Sequence, residues 1–169
     1  MYPDYNMYYS FYDYNYPIYR GSNQENMYSD EIITLNQAID LIRMSVSDEK
    51  EDEIFYNTLI EQAPTEKDKE IIKSIRNDER KHNQILRNLY YNFTGQIIPS
   101  DMSIENSNSK LTYKENLEKA LFGELNAVVK YRKILGTMPS GNSYTLLMSI
   151  MTDELRHASK YNFLIHSAK

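Results

Sequence analysis

From Thr34 onward apolar residues return every three to four positions, the period of a helix with one face against a core, while prolines and glycines retreat to a few places. The pattern predicts four long helices: α1 over 35–62, α2 over 66–91, α3 over 113–136 and α4 over 143–166. Thr34 followed by Gln37, and Thr112 followed by Glu115, have capping-box spacing, in which each side chain satisfies the other residue's free amide. These pairs are expected to open α1 and α3. Pro64 and Pro139 stand in the two short turns, where a residue with fixed φ and no amide hydrogen cannot continue a helix. α1 with α2, and α3 with α4, are therefore expected to be hairpins. The stretch 92–112, with Gly95, Pro99 and a Ser/Asn-rich run at 106–109, lacks helical periodicity. A helix of about 26 residues is roughly 39 Å long, and about 20 extended residues cover that length at roughly 3.3 Å each. The link can thus cross the whole bundle and leave α2 parallel to α3.

Heptad columns along these helices are apolar except at a few places. In α1, Leu35, Ile42, Tyr56 and Ala63 are interrupted by Glu49; in α2, Ile72 and Leu86 flank Glu79, while Ile75 and Leu89 flank His82. In α3, Leu117, Tyr131 and Met138 are interrupted by Glu124; in α4, Leu147 and Tyr161 flank Glu154, and Ile150 and Leu164 flank His157. Four glutamates and two histidines are thereby placed on seams that face the core. An isolated buried carboxylate is costly and is normally neutralised by a shifted pKa, an ion pair or a metal. Two divalent ions would balance four carboxylates, and neutral imidazoles would complete the coordination without adding charge. A Glu and a His three apart, as in Glu79/His82 and Glu154/His157, leave one helical face together and can reach the same metal region.

A shift of 75 residues maps Glu49, Glu79 and His82 onto Glu124, Glu154 and His157, and Tyr56, Pro64 and Asp78 onto Tyr131, Pro139 and Asp153. The chain reads as a duplicated helical hairpin. Each pair of glutamates is 30 apart, with the proline at its midpoint. Each glutamate then lies about 22 Å from the turn, so antiparallel helices bring the two to one height.

Composition narrows the possibilities. The 169 residues, 41% of them apolar, fill one core but hardly two. A formal charge of −5, with both signs mixed along the chain, argues against a nucleic-acid surface or a polybasic membrane patch. With no cysteine, disulfides, thiolate nucleophiles, zinc ribbons and iron–sulfur clusters are excluded, so any metal must sit on carboxylates and imidazoles. No apolar run approaches the roughly 20 residues that span a bilayer. The first residues show neither the basic start nor the apolar stretch of a secretory signal, and a cytoplasmic location is expected. The domain division is a low-complexity segment at 1–33 and a helical bundle at 34–169. Nine of the sixteen tyrosines lie between Tyr2 and Tyr28, among Asn, Asp, Pro and Ser, with no period that would make a helix or strand. The segment reads as a disordered or loosely docked tail.

With these residues in view, the chain resembles the ferritin-like non-haem diiron carboxylate proteins, especially the four-helix domain of rubrerythrins, over residues 34–166. The inventory of one Glu on each of two helices and Glu-x-x-His on the other two is that of carboxylate-bridged bundles. Asp153-Glu154-Leu155-Arg156-His157 looks like the Asp-Glu-x-Arg-His motif of that group, and Glu49/Tyr56 and Glu124/Tyr131 share its seven-residue spacing. The resemblance implies an all-α, ferritin-like four-helix bundle of two duplicated hairpins with one long crossover. It implies two iron ions, with manganese as an alternative, bridged by Glu79 and Glu154. Glu49 and Glu124 would be terminal ligands, and His82 and His157 would each hold one ion. Asp78 and Asp153 are expected to accept the remaining N–H of the histidines and so fix their tautomer. Tyr56 and Tyr131, read as catalytic, are expected to hydrogen-bond ligating carboxylates two turns away. His166 is expected at the surface. Glu53 is the chief competitor of Glu49 for the ligand role.

The implied activity is reduction of hydrogen peroxide or dioxygen, or oxidation of Fe(II). Two departures qualify it. The four-cysteine electron-transfer domain of rubrerythrins is absent, so a separate electron-donor protein is expected. Ala127 stands where rubrerythrin-like sequences usually carry a further ligand glutamate, and its symmetry partner is Asp52. A dimanganese catalase and a metal-stabilised structural or storage protein, with the tyrosines directing assembly into a spore-coat-like shell, are the competing readings. A bundle held by core salt bridges, with Arg76 or Arg156 turned inward, is the reading without metal. The expected assembly is a homodimer or higher homo-oligomer.

Overall fold

A computed structural model describes residues 33–99 and 111–167, apart from the side chains at 47–54. The tyrosine-rich segment, apart from Ile33, and the Ser/Asn-rich run at 106–109 lie outside the described residues, as do the side chains of Glu49, Asp52 and Glu53. The described residues form four α-helices and no strand: α1 Leu35–Gln62, α2 Glu66–Thr94, α3 Tyr113–Leu135 and α4 Asn142–Ser167.

The helix ends follow from local chemistry. Both expected capping boxes form, Thr34 with Gln37 and Thr112 with Glu115. A third cap, Thr65 accepting from the Asp68 amide at 3.1 Å, opens α2. Ala63, which ends α1, is extended at φ −62° and ψ 127°, as the ring of the following Pro64 requires. α2 runs three residues past the predicted Tyr91. It stops at Gly95, whose left-handed φ of 69° lets its amide donate to the Tyr91 carbonyl at 2.7 Å. α3 ends one residue early, with Gly136 as its C-cap, and α4 gains one residue at each end.

α1 packs on α2 and α3, and α4 packs on α3 and α2. The apolar interior falls into two clusters. One gathers Ala38, Ile42 and Val46 of α1, Leu86 and Leu89 of α2, Tyr131 and Ile134 of α3, and Leu147 and Ile150 of α4. The other gathers Tyr56 and Leu59, Ile72 and Ile75, Leu117 and Ala120, and Tyr161 and Leu164. Helix directions follow: the start of α1, the end of α2, the end of α3 and the start of α4 share one end of the bundle. α2 and α3 are therefore parallel. The chain leaves through Ile98 in the first cluster and returns at Leu111, whose carbonyl accepts from Gln62 Nε2 at the far end of α1. Buried Asn116 secures that return by donating to Gln62 Oε1 and the Leu111 carbonyl.

Fully burying a Leu, Ile or Phe side chain stabilises by roughly 1.5–3 kcal/mol. The two clusters thus hold the helices together against the cost of whatever polar layer lies between them. Among the described side chains of the expected seams all are buried but Leu35, which is 43% exposed in the first turn of α1. No described helix is long and apolar enough to cross a membrane.

Candidate metal centre

Between the two apolar clusters lies a layer of ionisable side chains. Glu79 and His82 leave α2 between Ile75 and Leu86, Glu124 leaves α3 between Ala120 and Tyr131, and Glu154 and His157 leave α4 between Ile150 and Tyr161. None of the five is more than 4% exposed. Each sits at a heptad position whose neighbours are core residues, so packing of the aliphatic seam carries it inside. Glu49 occupies the matching stretch of α1, between buried Val46 and Tyr56, but its side chain lies outside the described residues.

The donor atoms converge. Ligand atoms of Glu79, Glu124, Glu154 and His157 all lie within 4.8 Å of one another. Glu79 turns one oxygen to each histidine: Oε2 is 3.1 Å from His82 Nδ1 and Oε1 is 2.9 Å from His157 Nδ1. Glu154 does the same, with Oε1 at 3.3 Å from His82 Nδ1 and Oε2 at 3.7 Å from His157 Nδ1. Glu124 approaches only His157, through Oε2 at 3.6 Å. Two ligands about 2.1 Å from a common ion are roughly 3.0–3.4 Å apart at octahedral or tetrahedral angles; the contacts at 2.9, 3.1 and 3.3 Å match that spacing, and those of His157 with Glu124 and Glu154, at 3.6 and 3.7 Å, are slightly wider. His157 Nδ1 and Glu154 Oε1 are buried and meet hydrogen-bond geometry with no described group, despite these short approaches. Atoms that point past one another at such distances suit a shared cation between them, and the oxygen and imidazole donors suit a first-row divalent metal.

Burial and the mutual charges of these groups set their proton affinities. Burial, and then the neighbouring Glu154 carboxylate, raise the Glu124 pKa well above the usual carboxylate range. Burial acts against ionisation of Glu154 too, but Glu124, His157 and His82 outweigh it and hold Glu154 below its ordinary value. Burial likewise opposes charging of the imidazoles, yet Glu154 and Glu79 raise His82 to about 10. Glu124, Glu154 and Glu79 raise His157 to about 12. The buried carboxylates are thus compensated by protonated imidazoles, and a metal would have to displace those protons.

The outer partners cross between hairpins. His82 Nε2 lies 3.3 Å from Asp153 Oδ2, and His157 Nε2 lies 3.4 Å from Asp78 Oδ2. Each aspartate therefore serves the histidine of the opposite helix, leaving Nδ1 of both rings to face the carboxylates. Arg156, half-exposed, donates to Asp78 at 2.8 Å and pairs with Asp153 at 2.9 Å. It is a surface clasp over the two aspartates rather than a core salt bridge. Arg76 likewise donates outward, to Asn57 Oδ1 at 2.8 Å.

Tyr56 also reaches across. Its hydroxyl donates to Glu124 Oε1 on α3 at 2.9 Å, while Glu49, the carboxylate two turns away on its own helix, has its side chain outside the described residues. Tyr131 is fully buried on the other side of the layer, in the first apolar cluster. Ala127 packs against that cluster as a half-buried apolar residue. His166 is exposed, its ring against the Asn162 carbonyl. Tyr161, which its place in the Glu154 column puts in the core, stacks on Tyr56 with centroids 6.3 Å apart, a contact beside the site that the column alone does not reveal.

Compared with protein-family models, with curated proteins and with solved structures, the chain matches none.

Proposed function

We propose that this chain is a ferritin-like, rubrerythrin-type bundle of two duplicated hairpins joined by one long crossover. In this reading it is a non-haem dinuclear metal oxidoreductase that reduces hydrogen peroxide or dioxygen, or oxidises Fe(II). The observation that carries the proposal is the division of labour among the carboxylates. Glu79 and Glu154 each present one oxygen toward each histidine, as bridging ligands between two ions do, whereas Glu124 faces one histidine only, as a terminal ligand does. His82 and His157 would each hold one ion through Nδ1, and Glu49 is the remaining terminal ligand by its repeat position. Two iron ions, bound here, would supply the two electrons that reduction of a peroxide O–O bond requires.

The chain's own residues set the conditions for that chemistry. Asp78 and Asp153 hold the Nε2–H of the histidines, which fixes the tautomer and keeps Nδ1 available as a ligand atom. Tyr56 donates to Glu124, orienting that carboxylate and leaving a phenolic proton within one hydrogen bond of the site. The apolar clusters above and below exclude bulk water, which limits escape of reactive oxygen species. A separate protein would return electrons.

The test is to mix the Fe(II)-loaded protein with peroxide and with dioxygen separately and follow oxidation optically. Rapid oxidation by peroxide, with turnover once a reductant is added, is expected. Comparably slow oxidation by both, without turnover, removes the peroxidase assignment. The all-oxygen-and-nitrogen donor set also suits manganese. Disproportionation of peroxide by the Mn(II)-loaded protein with no reductant would favour that second reading.

A further inference from the structure

At the end of the bundle where α1 begins, the α1–α3 face carries a groove of about 470 Å³, lined by Ile33, Asp40 and Leu41 on one side and Val129, Lys130 and Lys133 on the other. Apolar surface continues from it along both helices. Val129 is 41% exposed, Phe122 is 62% exposed one further stretch down α3, and Met44 is 60% exposed on α1. Contiguous apolar surface of this kind is seldom left uncovered. We propose that the groove is the docking site of this chain's own tyrosine-rich N-terminal segment, residues 1–32.

Connectivity argues for that occupant over any other. Ile33 is both a lining residue of the groove and the position at which the segment enters the fold. Asp30 and Glu31 are within three residues of it, hence within about 10 Å of the groove mouth. Tyr28 is five residues away, a reach of roughly 16 Å when extended. The same distance separates the level of Lys133 from that of Phe122 along α3. Charge agrees: residues 1–32 carry Asp4, Asp13, Glu25, Asp30 and Glu31 against Arg20, while the groove's lining holds two lysines and one aspartate. The chemistry agrees too. A tyrosine ring packs flat on aliphatic surface and accepts a lysine ammonium over its face, and the groove supplies both. Lys130 already lies 5.1 Å from the ring of Tyr131, the kind of contact a docked tyrosine would repeat with Lys133.

The absence of cysteine makes the test clean. The full chain carrying Tyr28→Cys and Val129→Cys is treated at high dilution with a short bismaleimide, and cross-linked products are resolved by mass spectrometry. A second pair, Tyr28→Cys with Asn126→Cys, guards against loss of fold in the first, checked by far-UV circular dichroism. The control pair is Tyr28→Cys with Tyr91→Cys; residue 91 is exposed at the same end of the bundle and corrects for the tether. Expected are intrachain links to 129 or 126 several-fold faster than to 91, falling to the control rate when Lys130→Glu and Lys133→Glu are added. Equal rates to all three positions overturn the proposal. Predominantly interchain links also overturn it and assign the groove to a second copy of the chain.

Discussion

At a shift of 75 residues the two hairpins place the same donors at the centre, Glu79 and His82 from α2 against Glu154 and His157 from α4, but they surround them differently. In the first hairpin Lys81, largely exposed, pairs with Asp78 alone at 2.8 Å. Its counterpart Arg156 spans Asp78 and Asp153. Asp78, which holds His157, thus faces two cations, while Asp153, which holds His82, faces the arginine alone among the described ion pairs. Beyond the layer, Tyr161 stacks on Tyr56 in one cluster, where the counterpart Leu86 fills the other with aliphatic surface. The buried donors match between the halves, as charge balance around two ions would demand, whereas the groups that orient and polarise those donors diverge. Two metal ions held there, as proposed, would therefore sit in chemically unequal positions.

The largest expected effect separates the bridging from the terminal carboxylates. At about a hundredfold excess over its dissociation constant, each bound ion stabilises the fold by roughly 2.7 kcal/mol. Glu79→Ala and Glu154→Ala, which remove an oxygen from both positions, should abolish that metal-induced stabilisation. Glu124→Ala should keep about half of it. Thermal unfolding with and without Fe(II) or Mn(II) measures this, and equal losses in all three variants would break the distinction drawn from the oxygen–imidazole distances.

The next effect concerns pH. In the metal-free protein His82 at about 10 and His157 at about 12 lie above the ordinary imidazole value near 6.5. Their contribution to stability is therefore complete below pH 6.5, declines as pH rises beyond it, and is lost through about 10 and 12. Glu124, shifted upward, adds to the same trend. A metal bound in the layer would displace those protons, so its affinity would rise with pH. The difference in unfolding temperature between loaded and metal-free protein should widen from pH 6.5 to 9; a constant difference would mean that the imidazoles do not carry the compensating charge.

The smallest effect tests the inequality of the halves. Outer partners of ligating histidines typically matter by 10- to 100-fold in metal affinity. Arg156→Leu, which unclasps both aspartates, should cost about tenfold at the weaker of two resolved binding steps. Lys81→Met removes an exposed pair worth at most about 1 kcal/mol and should leave both steps nearly unchanged. Calorimetric titration reads both, and equal responses would show the clasp to be incidental.

Much of this was legible before the structure. The apolar seams and their polar interruptions placed Glu79, His82, Glu124, Glu154 and His157 inside, because an aliphatic column fixes which way a helix turns. The capping residues and Pro64 fixed most helix ends. What was not legible was who pairs with whom across the bundle. Spacing along one helix said nothing of the reach of Tyr56 to Glu124 or of which histidine each aspartate serves. Those partners depend on the offset between facing helices, which the packing of Leu59, Ile72 and Tyr161 sets and no single helix encodes. The Thr65 cap and the extension of α2 to Thr94 escaped for a simpler reason: each rests on a single local hydrogen bond, the Asp68 amide to the Thr65 hydroxyl and the Gly95 amide to the Tyr91 carbonyl, with no periodic signature.

The most direct measurement is the metal content and location in crystals of the protein loaded with Fe(II) or Mn(II), read by anomalous scattering at the metal edge. The account predicts two peaks per chain in the layer between the apolar clusters, both touching Glu79 and Glu154, with His82 on one and His157 on the other. A single peak, or an empty layer with the metal held at surface carboxylates, would contradict it.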